Sequence, residues 1–190
     1  MSYVAKPYTA GTPQAEVIGV AVIAFAQNAE ADVIEPILEK HGLGTINPDA
    51  WYPHQVWLDV LREVEETFAG GATIALVAFG KQVVSTAVMP PEIKTIPDVL
   101  HALHAIHHAN LRNIPQEEGY QLKQMSDNHY IVYHNTPNPE DAIYGFLWGL
   151  VARFKASDEI FAVRKVDNDR PDQARSAYEV KWGKAREDVA

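Results

Sequence analysis

The chain has 190 residues, of which 47% are hydrophobic and 22% charged, and it contains no cysteine. These values indicate a single globular domain over residues 1–190, and they exclude disulfides, thiol nucleophiles and thiolate metal sites. The formal net charge of -9, without a cluster of Lys and Arg, argues against nucleic-acid binding. The longest apolar run, 17–26, is too short to cross a bilayer, so we expect a cytoplasmic protein without a membrane partner.

Five helices are predicted in the first part of the chain, over about residues 12–112. Thr12 and Pro13 are typical of a helix start, and the apolar residues after them predict a buried helix to about residue 28. Gly42 is suited to end a second helix, at about 31–41. Glycine and proline residues then bound three more predicted helices, at about 54–68, 72–88 and 97–112.

After residue 112 the pattern changes to that of β-strands. GYQLKQM and HYIVYH are separated by three turn residues and predict a hairpin. EIFAVRKV and SAYEVKW predict two further strands, and a helix at 138–156 separates the two pairs. This order indicates an α+β fold in which a helical part, at about 12–112, is followed by a four-stranded antiparallel sheet, at about 119–183.

The helix at 138–156 has the clearest pattern in the chain. Asn138 is predicted to be its N-cap, and Pro139 is suited to the first helical position. Gly145 and Gly149 lie four residues apart on one face, and each costs about 1 kcal/mol of helix propensity. We therefore expect another part of the chain, or a flat ligand, to approach the backbone closely at these glycines.

Four of the eight histidines lie in the predicted fifth helix. His101, His104 and His108 share one helical face, whereas His107 lies closer to the apolar side. One interpretation is a metal site that includes His104 and His108, and another is a single histidine that ligates a haem iron. The alternative is that these histidines make ordinary hydrogen bonds at the border of an amphipathic helix.

Aromatic residues are the second group of candidates. They can form a core that needs no ligand, or they can line a small-molecule pocket with a few hydroxyl groups for orientation. If the ligand is apolar, we expect Tyr133, Tyr144 and Trp148 to lie near it. No hydrolase motif, phosphate-binding glycine loop or dinucleotide fingerprint occurs, so the sequence favours a protein that is not an enzyme.

The element order, the histidine-bearing helix and the stretch IVYHNTPNPEDAIYGFLWGLVARF resemble the haem nitric-oxide/oxygen-binding (H-NOX) domains and the related 4-vinyl reductase sensor domains. The resemblance implies an H-NOX-like fold. It places the haem-ligating histidine at His104, or at His101 in another alignment. In the family motif Tyr-x-Ser-x-Arg, which holds the haem propionates, the matching residues here are Tyr133, Asn135 and Pro137. The arginine is thus replaced by a proline, which cannot pair with a carboxylate.

Three hypotheses follow from these observations. The first is a ligand-binding or sensor protein, with haem or an apolar small molecule between the helical part and the sheet, and with output through a separate signalling protein. The second is a homodimeric protein-interaction module that has no ligand. The third is a metal-dependent enzyme built on the histidine helix.

Overall fold

The computed structural model of the chain describes residues 2–26, 31–68, 72–87 and 89–184. Within these ranges the chain forms six helices and seven strands. They are β1 (Glu16–Ile18), α1 (Gly19–Ala26), α2 (Ala31–Lys40), β2 (Trp51–Pro53), α3 (His54–Phe68), α4 (Ala72–Thr86), α5 (Ile96–Asn110), β3 (Leu111–Arg112), β4 (Gly119–Ser126), β5 (His129–Asn135), α6 (Glu140–Phe154), β6 (Glu159–Val166) and β7 (Ser176–Lys184). None of the described helices is long and apolar enough to span a bilayer.

The four-stranded sheet has the order β4-β5-β7-β6, and every neighbouring pair is antiparallel. Tyr130 of β5 and Val163 of β6 both pair with Val180 of β7, so these three residues form a row across the sheet. Because side chains alternate along a strand, Tyr130 and Val132 point to one face, whereas Ile131 and Tyr133 point to the other. The predicted α+β fold is confirmed, with two strands before α6 and two after it along the chain, all in one antiparallel sheet.

The helices also agree largely with the prediction. α3 has the predicted bounds, and α2 ends before Gly42, whose φ of 76° lies in the left-handed region. α5 begins one residue before Pro97, with a capping box between Thr95 and Asp98. It ends at Asn110 and not at residue 112, because the next two residues pair with β1. Residues 70 and 71, which were predicted to end the third helix, and residue 88, the predicted last residue of the fourth, lie outside the described residues.

The prediction for the first helix is wrong in its first half. Residues 16–18 form β1, which pairs with both β2 and β3 in a small three-stranded sheet. The helix begins only at Gly19, and the Thr12 hydroxyl donates to the carbonyl of Asn113, so it does not cap a helix. A short apolar run has the same pattern in a buried strand and in a buried helix, so periodicity could not separate them.

The chain has two main apolar clusters. The first, which we call the helical core, joins α1, α2 and α3, and includes Val22, Ile34, Leu58 and Leu61. The second, the sheet core, packs α5 and α6 on the sheet face that carries Tyr130 and Val132, and includes Leu100, Leu103, Leu147 and Leu150. The helical core thus lies among the first three helices, and the sheet core lies between the sheet and the helices packed on it.

α4 lies against α6 with their backbones in contact. A Cβ at Gly80 would overlap the carbonyl oxygen of Ala142, and a Cβ at Gly145 would overlap that of Val77. The close approach predicted at the glycines of α6 is therefore confirmed, and the partner is α4. The cap prediction is wrong, because Pro139 holds the N-cap position and the Asn138 amide donates to the hydroxyl of Thr136.

Candidate functional site

A pocket of about 180 Å³ lies where the helical core meets α4 and α6. One wall comes from α1 and α3, and the opposite wall comes from α4 and α6. Its lining is mostly apolar and consists of Ala21, Trp57, Leu61, Phe79, Gly80, Val83, Tyr120, Asn138, Pro139, Ala142, Ile143 and Phe146. The predicted position of a pocket, between the helical part and the sheet part, agrees with this arrangement.

Local sequence explains why the space stays open. Small residues at two of the lining positions, Ala21 and Ala142, leave room that a larger side chain would fill. The wall residues Trp57 and Leu61 belong to the helical core, whereas Ile143 belongs to the sheet core. A molecule in the pocket would therefore contact both cores at the same time.

Tyr120 and Asn138 bring polar atoms to this apolar lining. The pKa of Tyr120 is raised by its burial and by the neighbouring Tyr178, so its hydroxyl stays protonated and can donate. The Asn138 amide nitrogen donates to Thr136 Oγ1 at 3.1 Å, and its backbone carbonyl accepts from Arg175 at 3.0 Å. An apolar lining with a few fixed polar groups is the usual composition of a small-molecule site.

The histidines of α5 do not line this pocket. His104 is exposed, and its Nδ1 accepts a hydrogen bond from the backbone N–H of Tyr120 at 3.4 Å. Burial and the neighbouring His108 and His107 lower the pKa of His104, which keeps its ring neutral and able to accept. His101 is also exposed, and its ring lies edge-on to Tyr130 with centroids 5.8 Å apart.

His104 and His108 lie side by side, and each ring hydrogen-bonds the backbone through one nitrogen. Their ring centroids are 4.4 Å apart, and His108 Nε2 donates to the carbonyl of Glu118 at 2.8 Å. Among the described residues, no group of three or more His, Asp or Glu side chains could hold a metal ion.

Of the residues that the resemblance assigns to haem binding, Tyr133 and Asn135 share one face of β5, whereas His104 belongs to α5 on the other side of the sheet. Tyr133 lies on the sheet face opposite to α5, and its hydroxyl donates to Asp169 at 2.7 Å. Asn135 is buried, and its amide binds the backbones of Tyr3, Ala5 and Glu117. These groups bind other parts of the chain, on a different face from His104, so the arrangement does not fit a haem.

Two aromatic residues from the prediction, Tyr144 and Trp148, are partly buried against the sheet core outside the pocket. Lys81 Nζ lies 3.9 Å from the centroid of the Trp148 ring. The Phe161 ring lies edge-on to Trp148, with the two ring centroids 5.1 Å apart. Trp148 lines a surface groove between α4 and α6. The structure thus brings neither residue, nor Tyr133, to the pocket, whose aromatic walls are Trp57, Phe79, Tyr120 and Phe146.

A buried polar cluster behind the pocket was not predicted from the sequence. Glu118 has no exposed side-chain surface, and its two oxygens lie 3.0 Å from the Tyr3 hydroxyl and 3.3 Å from His107 Nε2. His54, at the start of α3, is 1% exposed and interacts electrostatically with Glu118 and His107. The position of His107 on the apolar side of its helix was the one sign of this cluster in the sequence.

His134 is buried beside this cluster, on the other side of the Tyr120 ring. Its Nδ1 lies 3.1 Å from the Ser176 hydroxyl, and its Nε2 lies 2.7 Å from that of Thr136. Burial and nearby cations, first among them Arg175, lower its pKa well below the usual value, so the ring is neutral. The Tyr120 ring stands 6.0 Å from both His107 and His134, which connects the cluster to the pocket wall.

Comparison with solved structures identifies the fold. The chain is similar to an oxygen-binding H-NOX domain related to soluble guanylate cyclases, with a TM-score of 0.63 and 16% identity over 90% of this chain and 94% of that one. A mutant of the T. tengcongensis H-NOX gives a TM-score of 0.62 and 14% identity over 88% and 96%. A Cs H-NOX mutant gives 0.60 and 14% over 89% and 96%. The chain therefore has an H-NOX-like fold.

At the level of sequence, no family model and no curated protein matches the chain.

Proposed function

We propose that this protein is a non-enzymatic binding or sensor domain that takes a small apolar molecule into the pocket between α1, α3, α4 and α6. The observation that carries the proposal is the pocket itself, which has a mostly apolar lining and a volume of about 180 Å³. An apolar cavity of roughly 150 Å³ in another protein stays dry and binds benzene or xenon. The expected ligand therefore has about the size of a single aromatic ring, with at most one group that hydrogen-bonds Tyr120 or Asn138.

The position of the pocket gives a reason to expect a sensor. A ligand would contact Trp57 and Leu61 of the helical core on one side, and Ile143 and Phe146 on the other. Its binding would thus favour one arrangement of the two walls over others, which is how a ligand shifts the population of conformations. A separate signalling protein would read that arrangement.

Haem, the ligand implied by the resemblance, is not the ligand of this proposal. Its candidate residues, His104, Tyr133 and Asn135, lie on different faces and are bound to other parts of the chain. The pocket is also smaller than the roughly 300–1,000 Å³ of sites for drug-sized ligands.

The alternative function, a homodimeric interaction module, requires no internal space. The pocket favours a binding protein over that alternative, and the two proposals differ in what they predict for small apolar probes. Sedimentation of the purified chain, with and without a probe, would show whether association and binding are linked.

Binding of toluene and benzene tests the proposal. We expect both probes to raise the Tm of the chain and to receive saturation transfer from it in ligand-detected NMR, because a ligand bound by the native state stabilises it. In Ala142→Leu the larger side chain should fill the pocket and abolish both effects, and Ala21→Leu is a second filled variant from the opposite wall. Ala105→Leu, at an exposed position of α5, is the matched control and should bind like the wild type.

Two results would overturn the proposal. The first is a wild-type chain that neither gains Tm nor shows saturation transfer at probe concentrations near saturation. The second is equal binding by the wild type and both filled variants, since the probes would then lie elsewhere.

A further inference from the structure

Residues 2–15 form a segment of turns and irregular backbone that we call the N-terminal strap. The Ala5 amide donates to Asn135 Oδ1 at 2.8 Å, and the Tyr8 amide donates to the carbonyl of Pro137 at 2.9 Å, both at the end of β5. Other contacts reach the first turns of α3. Gln55 accepts from the Ala10 amide at 3.0 Å and donates to the Tyr8 carbonyl at 3.0 Å. The strap is thus held at the sheet and at α3.

The buried cluster provides the deepest attachment of the strap. The Tyr3 hydroxyl donates to Glu118 Oε2 at 3.0 Å, and the second oxygen of the same carboxylate lies 3.3 Å from His107 Nε2. A carboxylate without exposed surface is costly unless such partners satisfy it. Tyr3 is therefore both an anchor of the strap and a necessary partner of Glu118.

His54 joins the strap to this cluster. Its backbone N–H donates to the carbonyl of Ala15, the last residue of the strap, at 2.8 Å. Its ring is almost fully buried, and no described residue hydrogen-bonds its Nδ1 atom. As the first residue of a 15-residue helix, His54 also lies at the positive end of the helix dipole, where a cation is unfavourable.

The charges around His54 come from several elements. Glu118 favours a proton on the His54 ring, whereas burial and His107 oppose it more strongly, so the pKa of His54 is lowered to about 4. The wider surroundings of the cluster contain Tyr3 and Glu117, the neutral rings of His104 and His134, the tyrosine Tyr120, and the cations Arg175 and Lys165. The ring of His54 is consequently neutral while the strap is docked.

We propose that the buried cluster of Tyr3, His54, His107 and Glu118 is a proton-operated latch for the N-terminal strap. Near neutral pH, uncharged His54 packs in place and the strap stays docked on α3 and on Glu118. In mild acid, a protonated His54 needs water that its buried position does not provide, so the start of α3 separates from Ala15 and the strap is released. The proposed latch requires no ligand in the pocket.

The expected size of the effect follows from linkage. A histidine whose pKa is lowered in the docked state contributes stability above its ordinary pKa of about 6.5, and that contribution is lost as the pH falls toward about 4. At about pH 5 the ratio of docked to released strap should be roughly thirtyfold lower than at about pH 7.5. Below about pH 4 His54 lowers this ratio by only about a further factor of two.

Hydrogen exchange read by mass spectrometry tests the latch on the intact chain. Protection factors, which correct for the pH dependence of exchange itself, should fall at least about tenfold in residues 2–15 between about pH 7.5 and about pH 5. Those of β5 and β7 should change far less. A strap that keeps its protection, or that loses it only together with the sheet, would overturn the proposal.

Two variants separate the latch from a general effect of acid. His54→Gln keeps a side chain that carries no charge, so its strap should stay protected at about pH 5. Tyr3→Phe removes the hydroxyl from Glu118, so its strap should already be less protected at about pH 7.5. If the strap of His54→Gln loses as much protection at about pH 5 as that of the wild type, the latch is contradicted. If that variant does not fold, unchanged protection in Tyr3→Phe would contradict it as well.

Discussion

The backbone of Gly145 in α6 lies directly against the carbonyl oxygen of Val77 in α4, and no space remains between them for a Cβ. Each helix also places a further glycine at the same contact. In α4, Gly80 faces the carbonyl of Ala142. In α6, Gly149 faces the backbone of Lys81, but there a Cβ would lie 3.0 Å from the nearest backbone atoms, so the contact is less tight. The two helices can pack this closely because side chains are absent where the backbones meet.

Gly145→Ala should therefore destabilise the chain, despite the better helix propensity of alanine. The new Cβ would push the backbones of α4 and α6 apart, and we expect a net loss of about 2 kcal/mol in the free energy of unfolding. Gly149→Ala, where the gap is wider, is the matched control and should change that free energy by less than about 1 kcal/mol. Urea unfolding measures both, and equal effects of the two substitutions would contradict the described packing.

The free energy of unfolding should fall as the pH decreases from about 6.5 to about 4. The pKa values of His54 and His134 are lowered in the folded chain, so the unfolded chain binds more protons in this range. The lowered pKa of His54 alone accounts for a loss on the order of 3 kcal/mol in the free energy of unfolding. Urea unfolding at a series of pH values measures the slope, which should be smaller in His134→Gln than in the wild type. A flat profile would show that these rings are not held neutral.

Arg175 should contribute strongly to stability through the arm that joins β5 to α6. Its guanidinium donates to the carbonyls of Thr136 at 2.5 Å and of Asn138 at 3.0 Å. Arg175→Met keeps the apolar stem and removes both hydrogen bonds, which should cost about 3 kcal/mol because the carbonyls lose a charged donor. Arg164→Met, at an exposed position of β6, should cost little. A comparable loss in both variants, by thermal or urea unfolding, would argue against this role.

Titration with haem should give no stoichiometric Soret band from coordinated haem. The His104 ring accepts a backbone hydrogen bond, and Tyr133 and Asn135 bind other parts of the chain. The absorption spectrum with haem should also be the same for the wild type, His104→Ala and His101→Ala. A stoichiometric band that disappears in either variant would instead identify the axial ligand and restore the haem hypothesis.

Much of the fold could be predicted because its signals are local. The bounds of α3 and the alternation in β7 come from neighbouring residues, and the order of the elements then follows from the chain. The three-stranded sheet could not be predicted in this way. Its strands have two or three residues each, and β1 pairs with partners that follow it by more than thirty and more than ninety residues.

The sequence predicted a pocket between the helical part and the sheet part, but it did not indicate which residues line the observed pocket. Tyr133 was expected near a ligand, but its partner Asp169 comes from a loop 36 residues away along the chain. The pocket is formed instead by Trp57, Phe79 and Phe146, which share no motif and meet only through the packing of three helices. The cluster of His54, His107 and Glu118 likewise depends on tertiary contacts between separate elements, which a pattern in the sequence cannot indicate.

The glycine contact between α4 and α6 also determines which parts of the molecule can shift relative to one another. Two helices whose backbones touch have no layer of side chains between them that could slide. We therefore expect α4 to move with α6 as a rigid pair, although α5 and two strands of the sheet lie between them in the chain. The joint that a bound molecule could open or close therefore runs between α3 and α4, along the faces of Trp57 and Phe79. A pair of spectroscopic labels on α2 and α6 would span that joint, whereas a pair on α4 and α6 would report a fixed distance.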